Sequence, residues 1–232
     1  MPPVAILSYH KIGDPPADWY SWYYVSRACF REHLTILRDR GWQLIDHRAL
    51  LEALDRPARL QQPSALITFD DAYQSLVREA VPVLEDAGAA SVVFVPTDYI
   101  GGTNTFDEGE EPDEPICAWE DLATLAQHRV SIQSHGVRHA AMSELDPDAQ
   151  LFELEHSRRR LEETRGTSVD LFAFPYGDAG TDAHAMAGIV RAAGYRAAFG
   201  YGGGPADLDR DDRYCLPRLA MGPDTDLAEL LP

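Results

Sequence analysis

Short apolar runs alternate along the chain with longer segments in which apolar residues recur at helical spacing. Short apolar runs bounded by turn signals are typical of buried strands. They predict strands at residues 4–8, 43–45, 65–69, 91–95, 130–133, 171–174 and 196–200. Helical spacing with capping, Gly or Pro residues at the ends predicts helices at residues 26–40, 48–54, 73–87, 146–166 and 182–193.

The order of these elements predicts the fold class. Strands that alternate with helices form a mainly parallel sheet with the helices packed outside it. About seven strands in one chain predict an α/β fold, a distorted or incomplete (β/α) barrel, as a single domain over residues 1–232. In such barrels the chemistry collects at the carboxyl ends of the strands. Reactive side chains that directly follow a strand are therefore the candidates.

Two segments show neither the apolar runs of strands nor the helical spacing of apolar residues. Residues 14–24 are rich in proline and aromatic residues, and residues 98–118 contain a dense acidic stretch. Loops this long are usually either binding loops or disordered, and both interpretations apply to residues 98–118. The aromatic side chains of the first segment could form a wall for a sugar, or pack across the barrel mouth or against another subunit. They are Trp19, Tyr20, Trp22, Tyr23 and Tyr24.

Pairs of potential metal ligands follow two of the predicted strands. Asp70 and Asp71 come directly after residues 65–69. Adjacent carboxylates repel each other and are best tolerated beside a cation, although Asp residues also cap helices. His135 and His139 come after the strand that ends at residue 133, at a spacing that lets both rings bind one metal. Two imidazoles and one carboxylate form a facial metal set with open positions for water. A second carboxylate beside them can act as a base toward that water.

A third motif, Phe174-Pro175-Tyr176-Gly177, leaves the strand at residues 171–174. Pro175 fixes the turn, and Gly177 would allow a close backbone approach. A plain strand-to-helix turn would have the same composition.

Together these motifs resemble those of the polysaccharide deacetylase family, also called carbohydrate esterase family four. The Thr-Phe-Asp-Asp segment at residues 68–71 matches the first motif in full, His135 and His139 match the second, and Pro175–Gly177 matches the third. The resemblance covers residues 8–218. The Tyr-His near the start and the late Pro-Arg look most similar to the branch that acts on poly-N-acetylglucosamine.

The resemblance implies a metal-dependent hydrolase that removes N-acetyl groups from an amino sugar or an N-acetylglucosamine-containing saccharide. Asp71, His135 and His139 would bind one divalent metal, with Zn²⁺ as the first expectation, although Co²⁺, Ni²⁺ or Fe²⁺ also suit these ligands. Asp70 would be the general base toward a metal-bound water that attacks the amide. The backbone N–H of Tyr176 would help the metal to stabilise the oxyanion.

Three positions depart from the family pattern. Gly136 replaces the usual Ser or Thr, so we expect the two histidines to lose a supporting hydroxyl. Ala173 replaces an arginine that pairs with the base; Arg218 could supply that guanidinium and hold the pKa of Asp70 low, or form an ordinary surface ion pair. The late catalytic histidine of the family has no counterpart. His10, at the end of the first strand, is either the proton donor instead or a structural residue.

Composition narrows the partners and the location. The formal net charge of −18 would repel nucleic acid and anionic membranes, so neither is expected as a partner. No apolar run approaches the length of a membrane span. The widely spaced cysteines suggest free thiols. The opening residues lack a basic leader, which predicts a cytoplasmic protein, or a secreted one if a leader has been removed. The expected partner is a saccharide substrate, and no oligomeric state is predicted.

Two further functions stay open at this stage. One is hydrolysis of a small non-sugar amide or ureide, and the other is a non-catalytic carbohydrate-binding role. The missing late histidine and Ala173 permit the binding role. The retained aspartates and histidines argue against it, because a binder needs no base beside a metal.

Overall fold

The computed structural model describes residues 2–232, and its strands follow the predicted order along the chain. They are β1 Val4–Tyr9, β2 Lys11–Ile12, β3 Tyr24–Val25, β4 Gln43–Leu44, β5 Ser64–Phe69, β6 Ser91–Val95, β7 Val130–Ser134, β8 Leu171–Ala173, β9 Ala197–Phe199 and β10 Leu219–Ala220. The main sheet has the order β10-β1-β5-β6-β7-β8-β9, with β4 beside the start of β5. All pairs in this sheet are parallel, and β2 and β3 form a separate parallel ribbon.

The main sheet curls into an incomplete barrel, which confirms the predicted fold class. Its two edge strands, β9 and β10, do not pair with each other. The gap is spanned by a bridge between Phe199 and Leu216, where the Gly200 N–H donates to the Leu216 carbonyl. The segment between Leu216 and β10 therefore closes the gap in the barrel beside β1.

The helices cover the outside of the sheet and one end of the barrel. They are α1 Arg27–Asp39, α2 His47–Asp55, α3 Val81–Asp86, α4 Trp119–Gln127, α5 Pro147–Arg165, α6 Ala183–Ala192 and α7 Leu227–Leu230, with a π-helical turn at Leu76–Ala80. Single 3₁₀ turns lie at Pro57–Arg59, Thr97–Tyr99, Thr105–Asp107, Met142–Glu144 and Pro175–Gly177. Within residues 2–232 no helix combines the length and the apolar character needed to cross a membrane.

Several elements differ from the sequence-based expectation, and the short elements β2, β3, β10 and α7 were not predicted. The single helix expected at residues 73–87 is a π-helical turn followed by the short helix α3. Pro82 has no N–H to donate to the preceding turn, which favours this local widening. Helix α4 was not predicted, because its buried face consists of only Leu122 and Leu125.

Alternation along the strands divides the core into two parts and positions the site. Ile6, Leu66 and Phe94 belong to the cluster inside the barrel, whereas their neighbours on the opposite face pack under the helices. Side chains on a strand alternate between faces with a period of two. The inward row of β5 therefore continues from Leu66 through Thr68 to Asp70, at the carboxyl end of the strand.

Candidate active site and metal centre

A cavity of about 260 Å³ opens at the carboxyl ends of β1, β5, β7 and β9. Its lining includes His10 and the main candidates from the sequence, namely Asp70, Asp71, His135, His139 and Tyr176. Side chains from both irregular segments complete the walls. The expectation that reactive residues follow strands is met at this edge of the sheet.

The three expected metal ligands converge on one point. The Oδ1 atom of Asp71 lies 3.5 Å from Nε2 of His135 and 3.2 Å from Nε2 of His139. One ligand atom from each residue lies within 4.8 Å of the other two, and all three residues are buried. Among the described residues, Asp71 Oδ1 has no hydrogen-bond partner. A buried carboxylate oxygen without a partner is costly, and a divalent cation would satisfy it. The residues therefore fit a metal site.

Unusual backbone conformations place these ligands. Asp71, His139 and Tyr176 have φ values of 67°, 54° and 57°. A left-handed φ is uncommon for residues with a side chain. Such strain persists only where the surrounding structure enforces it, and it concentrates at functional sites. Within residues 2–232, four of the five non-glycine residues with positive φ lie here, the fourth being Ala72.

Hydrogen bonding orients the His135 ring for metal binding. Its Nδ1 lies 2.8 Å from the carbonyl oxygen of Ala173. An Nδ1–H that donates to this carbonyl leaves the Nε2 lone pair facing Asp71. Burial lowers the pKa of His135 to about 4, although the two aspartates oppose the shift. The neutral imidazole required of a metal ligand is thus the favoured form. At His139, burial by itself would lower the pKa, but the charge of Asp71 outweighs it and raises the pKa.

Glu153 of α5 braces the loop between the two histidines. It is fully buried, and its Oε2 accepts hydrogen bonds from the backbone N–H groups of Val137 at 2.6 Å and Arg138 at 2.9 Å. A Cβ atom at Gly136 would lie 3.0 Å from the same oxygen. Gly136 does lack the usual hydroxyl, as expected, but the loop is not left without support. A carboxylate from the neighbouring helix does the bracing, and its close approach favours glycine.

Arg218 pairs with the expected base, and the surface alternative is wrong. Its Nη1 and Nη2 donate to Oδ1 and Oδ2 of Asp70 at 2.7 and 2.8 Å, and the side chain is fully buried. Ser8 at 3.3 Å and Tyr201 at 2.8 Å also donate to Oδ2. Burial by itself would raise the pKa of Asp70, but the Arg218 guanidinium outweighs it and holds that pKa well below its usual range. Asp70 is therefore an oriented, ionised carboxylate.

His10 lines the cavity directly after strand β1. Its Nε2 lies 4.0 Å from Asp70 Oδ2, and its ring packs edge-on against Tyr23. Its Nδ1 is buried with no hydrogen-bond partner among the described residues, so the structural role bonded to backbone is not seen. Burial lowers the pKa of His10, while Asp71 and Asp70 oppose the shift.

The irregular segments form two walls of the cavity. Trp22 and Tyr23 line it, whereas Trp19 and Tyr20 of the same segment are exposed outside the lining. The segment at residues 98–118 contributes Asp107 to the cavity. It contains two 3₁₀ turns held by a network of hydrogen bonds, which favours the binding-loop interpretation. The Tyr176 ring is half exposed and packs edge-on against His139 at 4.6 Å.

Sequence reasoning missed several residues of the site. Ser8 and Tyr201 follow the same rule as the predicted residues, because they lie at or after the ends of β1 and β9. Glu153 lies in the middle of a long helix, where no local pattern marks it.

The chain matches known proteins over the same region. Residues 58–198 match the sequence profile of the polysaccharide deacetylase family. A Bacillus subtilis (strain 168) protein named as a polysaccharide deacetylase, YxkH, is 26% identical over 74% of this chain and 56% of its own length. The poly-beta-1,6-N-acetyl-D-glucosamine N-deacetylase of Escherichia coli (strain K12) is 27% identical over 56% of this chain and 20% of its own length. The chain thus spans only part of the length of these relatives.

A solved structure shares the fold along the whole chain. The Streptococcus pyogenes deacetylase PplD, solved in complex with acetate, superposes with a TM-score of 0.84. The match covers 99% of this chain and 98% of that one at 19% sequence identity, so it bears on the fold alone. The family profile covers more than half of the chain and includes both metal-ligand motifs and the Pro-Tyr-Gly turn. The chain is a member of the polysaccharide deacetylase family.

Proposed function

We propose that this protein is a metal-dependent N-deacetylase of an N-acetylglucosamine-containing saccharide. The observation that carries the proposal is the buried Oδ1 of Asp71, which has no hydrogen-bond partner among the described residues and lies between two imidazoles, directly beside the Asp70–Arg218 pair. The sugar is proposed from the Escherichia coli relative, whose name specifies poly-beta-1,6-N-acetyl-D-glucosamine.

Asp71, His135 and His139 would hold the metal, and zinc suits this donor set, as do cobalt, nickel and iron. When bound, a divalent ion supplies Lewis-acid polarisation of the acetamide carbonyl and lowers the pKa of a bound water. Asp70 takes the proton from the attacking water. Arg218 keeps Asp70 ionised and fixes both of its oxygens, so that no reorganisation is needed during the reaction.

Hydrolysis breaks the amide C–N bond and releases acetate and a free amine, so the departing nitrogen needs a proton. His10 is the proposed donor. Its Nε2 lies 4.0 Å from Asp70 Oδ2, so His10 can receive the proton that Asp70 takes from the water and pass it to the departing nitrogen, and no late histidine competes for the role. The Tyr176 backbone N–H is the proposed donor to the developing oxyanion, because this residue lines the cavity in a left-handed turn and its ring packs against that of His139.

The test is acetate release from N-acetylglucosamine oligomers by metal-stripped protein, with and without added zinc or cobalt. We expect release to depend on the metal and to be lost in His135→Ala. The matched control is His184→Ala, because His184 is exposed on α6. Metal binding without acetate release from β-1,6- or β-1,4-linked oligomers would contradict the proposal and direct attention to other amides or to a binding role.

A further inference from the structure

The buried amide of Asn104 joins the two sides of the acidic loop, which is formed by residues 98–118. Asn104 Nδ2 donates to the Pro112 carbonyl at 3.1 Å, and its Oδ1 accepts from the Glu114 N–H at 2.7 Å. The loop between these contacts carries Phe106, whose ring centroid lies 4.2 Å from that of His139. Asp107, the residue after Phe106, lines the cavity.

A buried ion pair joins this loop to the aromatic segment. Lys11 is the only lysine in the sequence, and its Nζ lies 2.8 Å from Oε2 of Glu111, with side-chain exposures of 1% and 9%. Ser21 donates to the same oxygen at 2.6 Å. The Nζ also lies over the rings of Tyr24 and Tyr73, at 4.8 and 4.7 Å from their centroids.

These contacts join residues 11–24 to the acidic loop, so that the two segments form one continuous wall of the cavity. A buried ion pair is tolerated only when further partners satisfy both charges, and the hydroxyl and the two aromatic faces do so here. A second link runs from the Tyr24 hydroxyl to Oε1 of Glu114 at 2.5 Å. Movement of the loop away from residues 11–24 would expose both contacts and displace Asp107.

Among the described residues, the Asp107 carboxylate has no hydrogen-bond donor. It is half-buried and lines the cavity, yet within residues 2–232 no side chain or backbone N–H donates to it and no cationic group pairs with it. An ionised carboxylate accepts several hydrogen bonds. Saccharides present O–H and amide N–H donors, and a carboxylate at a cavity wall is the group that receives them.

We propose that Asp107 is a substrate-contacting residue that accepts hydrogen bonds from the hydroxyl or N–H groups of the amino sugar. Lys11 and Glu111 are the positioning residues that hold it at the cavity wall. This inference rests on the proposed function, because it assumes that a saccharide occupies the cavity.

The experiment compares Asp107→Ala, Lys11→Met and the double variant, with Asp98→Ala as the matched control. Asp98 lies in the same loop, forms an exposed ion pair with Arg160, and its replacement removes the same charge. Four quantities are measured: KM and kcat for an N-acetylglucosamine trimer, its Kd for metal-free protein followed by tryptophan fluorescence, and the zinc affinity.

We expect Asp107→Ala to raise KM and Kd about tenfold, the range for a lost hydrogen bond to a charged group. Its kcat and zinc affinity should stay within about twofold of the wild type, as should all four quantities for Asp98→Ala. Lys11→Met should show the same pattern, and the double variant should be no worse than the more severe single variant, since the two residues act through one contact.

An active wild type with unchanged KM and Kd in Asp107→Ala would overturn the inference while leaving the proposed function intact. If the wild type releases no acetate, the proposed function fails, and the Kd comparison decides the inference alone. A wild type that neither binds nor cleaves the trimer overturns both. If Lys11→Met unfolds, Glu111→Gln takes its place, because the amide retains an acceptor for Lys11. If kcat and zinc affinity fell in either variant while KM rose, the positioning role would be refuted.

Discussion

At the residue scale, Gly177 and Tyr201 show how closely the backbone packs around the base. Gly177 has a φ of 71°, and a Cβ atom there would lie 2.5 Å from Cδ2 of Tyr201. The Tyr201 hydroxyl is a hydrogen-bond donor to Asp70. The glycine of the Pro-Tyr-Gly motif therefore meets two requirements at once, a left-handed backbone and space for the ring that orients the base.

Alanine substitutions at Gly109 and Gly177 distinguish the effect of backbone strain from that of overpacking. Gly109 has a φ of 84°, but no atom lies within 4 Å of a Cβ built there. We expect Gly109→Ala to lower the free energy of unfolding by about 1 kcal/mol through backbone strain alone. Gly177→Ala should cost about 2 kcal/mol more, because overpacking adds to the strain. Chemical denaturation measures both, and equal losses would contradict the steric argument.

Arg218 offers a second prediction at this scale. Arg218→Met would leave the buried Asp70 carboxylate without its counter-charge, and we expect the free energy of unfolding to fall by about 3 kcal/mol. Arg218→Lys should recover only part of the loss, since an ammonium cannot form the two parallel hydrogen bonds.

The control for Arg218 is Arg160→Met, which breaks an exposed ion pair with Asp98. Its loss should stay below about 1 kcal/mol. Denaturant titration of metal-free protein provides the comparison, and a loss at Arg218 no greater than that at Arg160 would rule out a strong buried pair.

At the scale of elements, α5 supports the metal site from outside the barrel. Its Glu153 carboxylate receives the N–H groups of the loop that carries both histidines. It also pairs with Nε of Arg138 at 2.7 Å. The helix thus compensates for the missing hydroxyl at Gly136. A substitution of Glu153 on α5 should therefore change the affinity of the candidate site for a metal ion.

Glu153→Gln tests this support. An amide can accept only through its one oxygen, so one of the three hydrogen bonds to the loop is lost and the charge is removed. We expect the zinc affinity to fall about tenfold, a typical effect of removing a group that orients a ligand.

Glu155→Gln is the matched control, because Glu155 is exposed on the same helix. Zinc titration against a competing chelator should show wild-type affinity for this variant. Equal affinities in both variants would show that the loop holds its conformation without α5.

Elements also differ in how well local patterns predict them. Strand β6 and helix α5 were placed within a residue, because one is a continuous valine-rich run and the other has Asp146 and Gly166 at its ends. Helix α4 and strand β10 were missed. The first has a narrow apolar face, and the second has only two residues and exists because β1 offers a partner.

At the scale of the whole molecule, the metal should couple the site to stability. Its expected ligands lie in the two loops that follow β5 and β7, so an ion that binds them binds only the folded barrel. At a hundredfold excess over Kd, the gain is about 2.7 kcal/mol, which corresponds to a rise in Tm of about 5–10 °C for a domain of this size.

His139→Ala should abolish most of this rise and His184→Ala should leave it unchanged. Differential scanning calorimetry of metal-stripped protein, with and without zinc, measures the effect. A rise that persists in His139→Ala would place the stabilising ion elsewhere.

The parallel α/β architecture and the candidates Asp70, Asp71, His135 and His139 could be predicted from the chain alone. Both follow from local information, because the strand period and the position directly after a strand end are visible along the chain. Three contacts became evident only in the folded protein: Arg218 pairs with Asp70, Glu153 replaces a missing hydroxyl, and Lys11 holds Glu111. These contacts join residues far apart in the chain, at positions set by barrel closure and helix packing. No local period specifies such pairings.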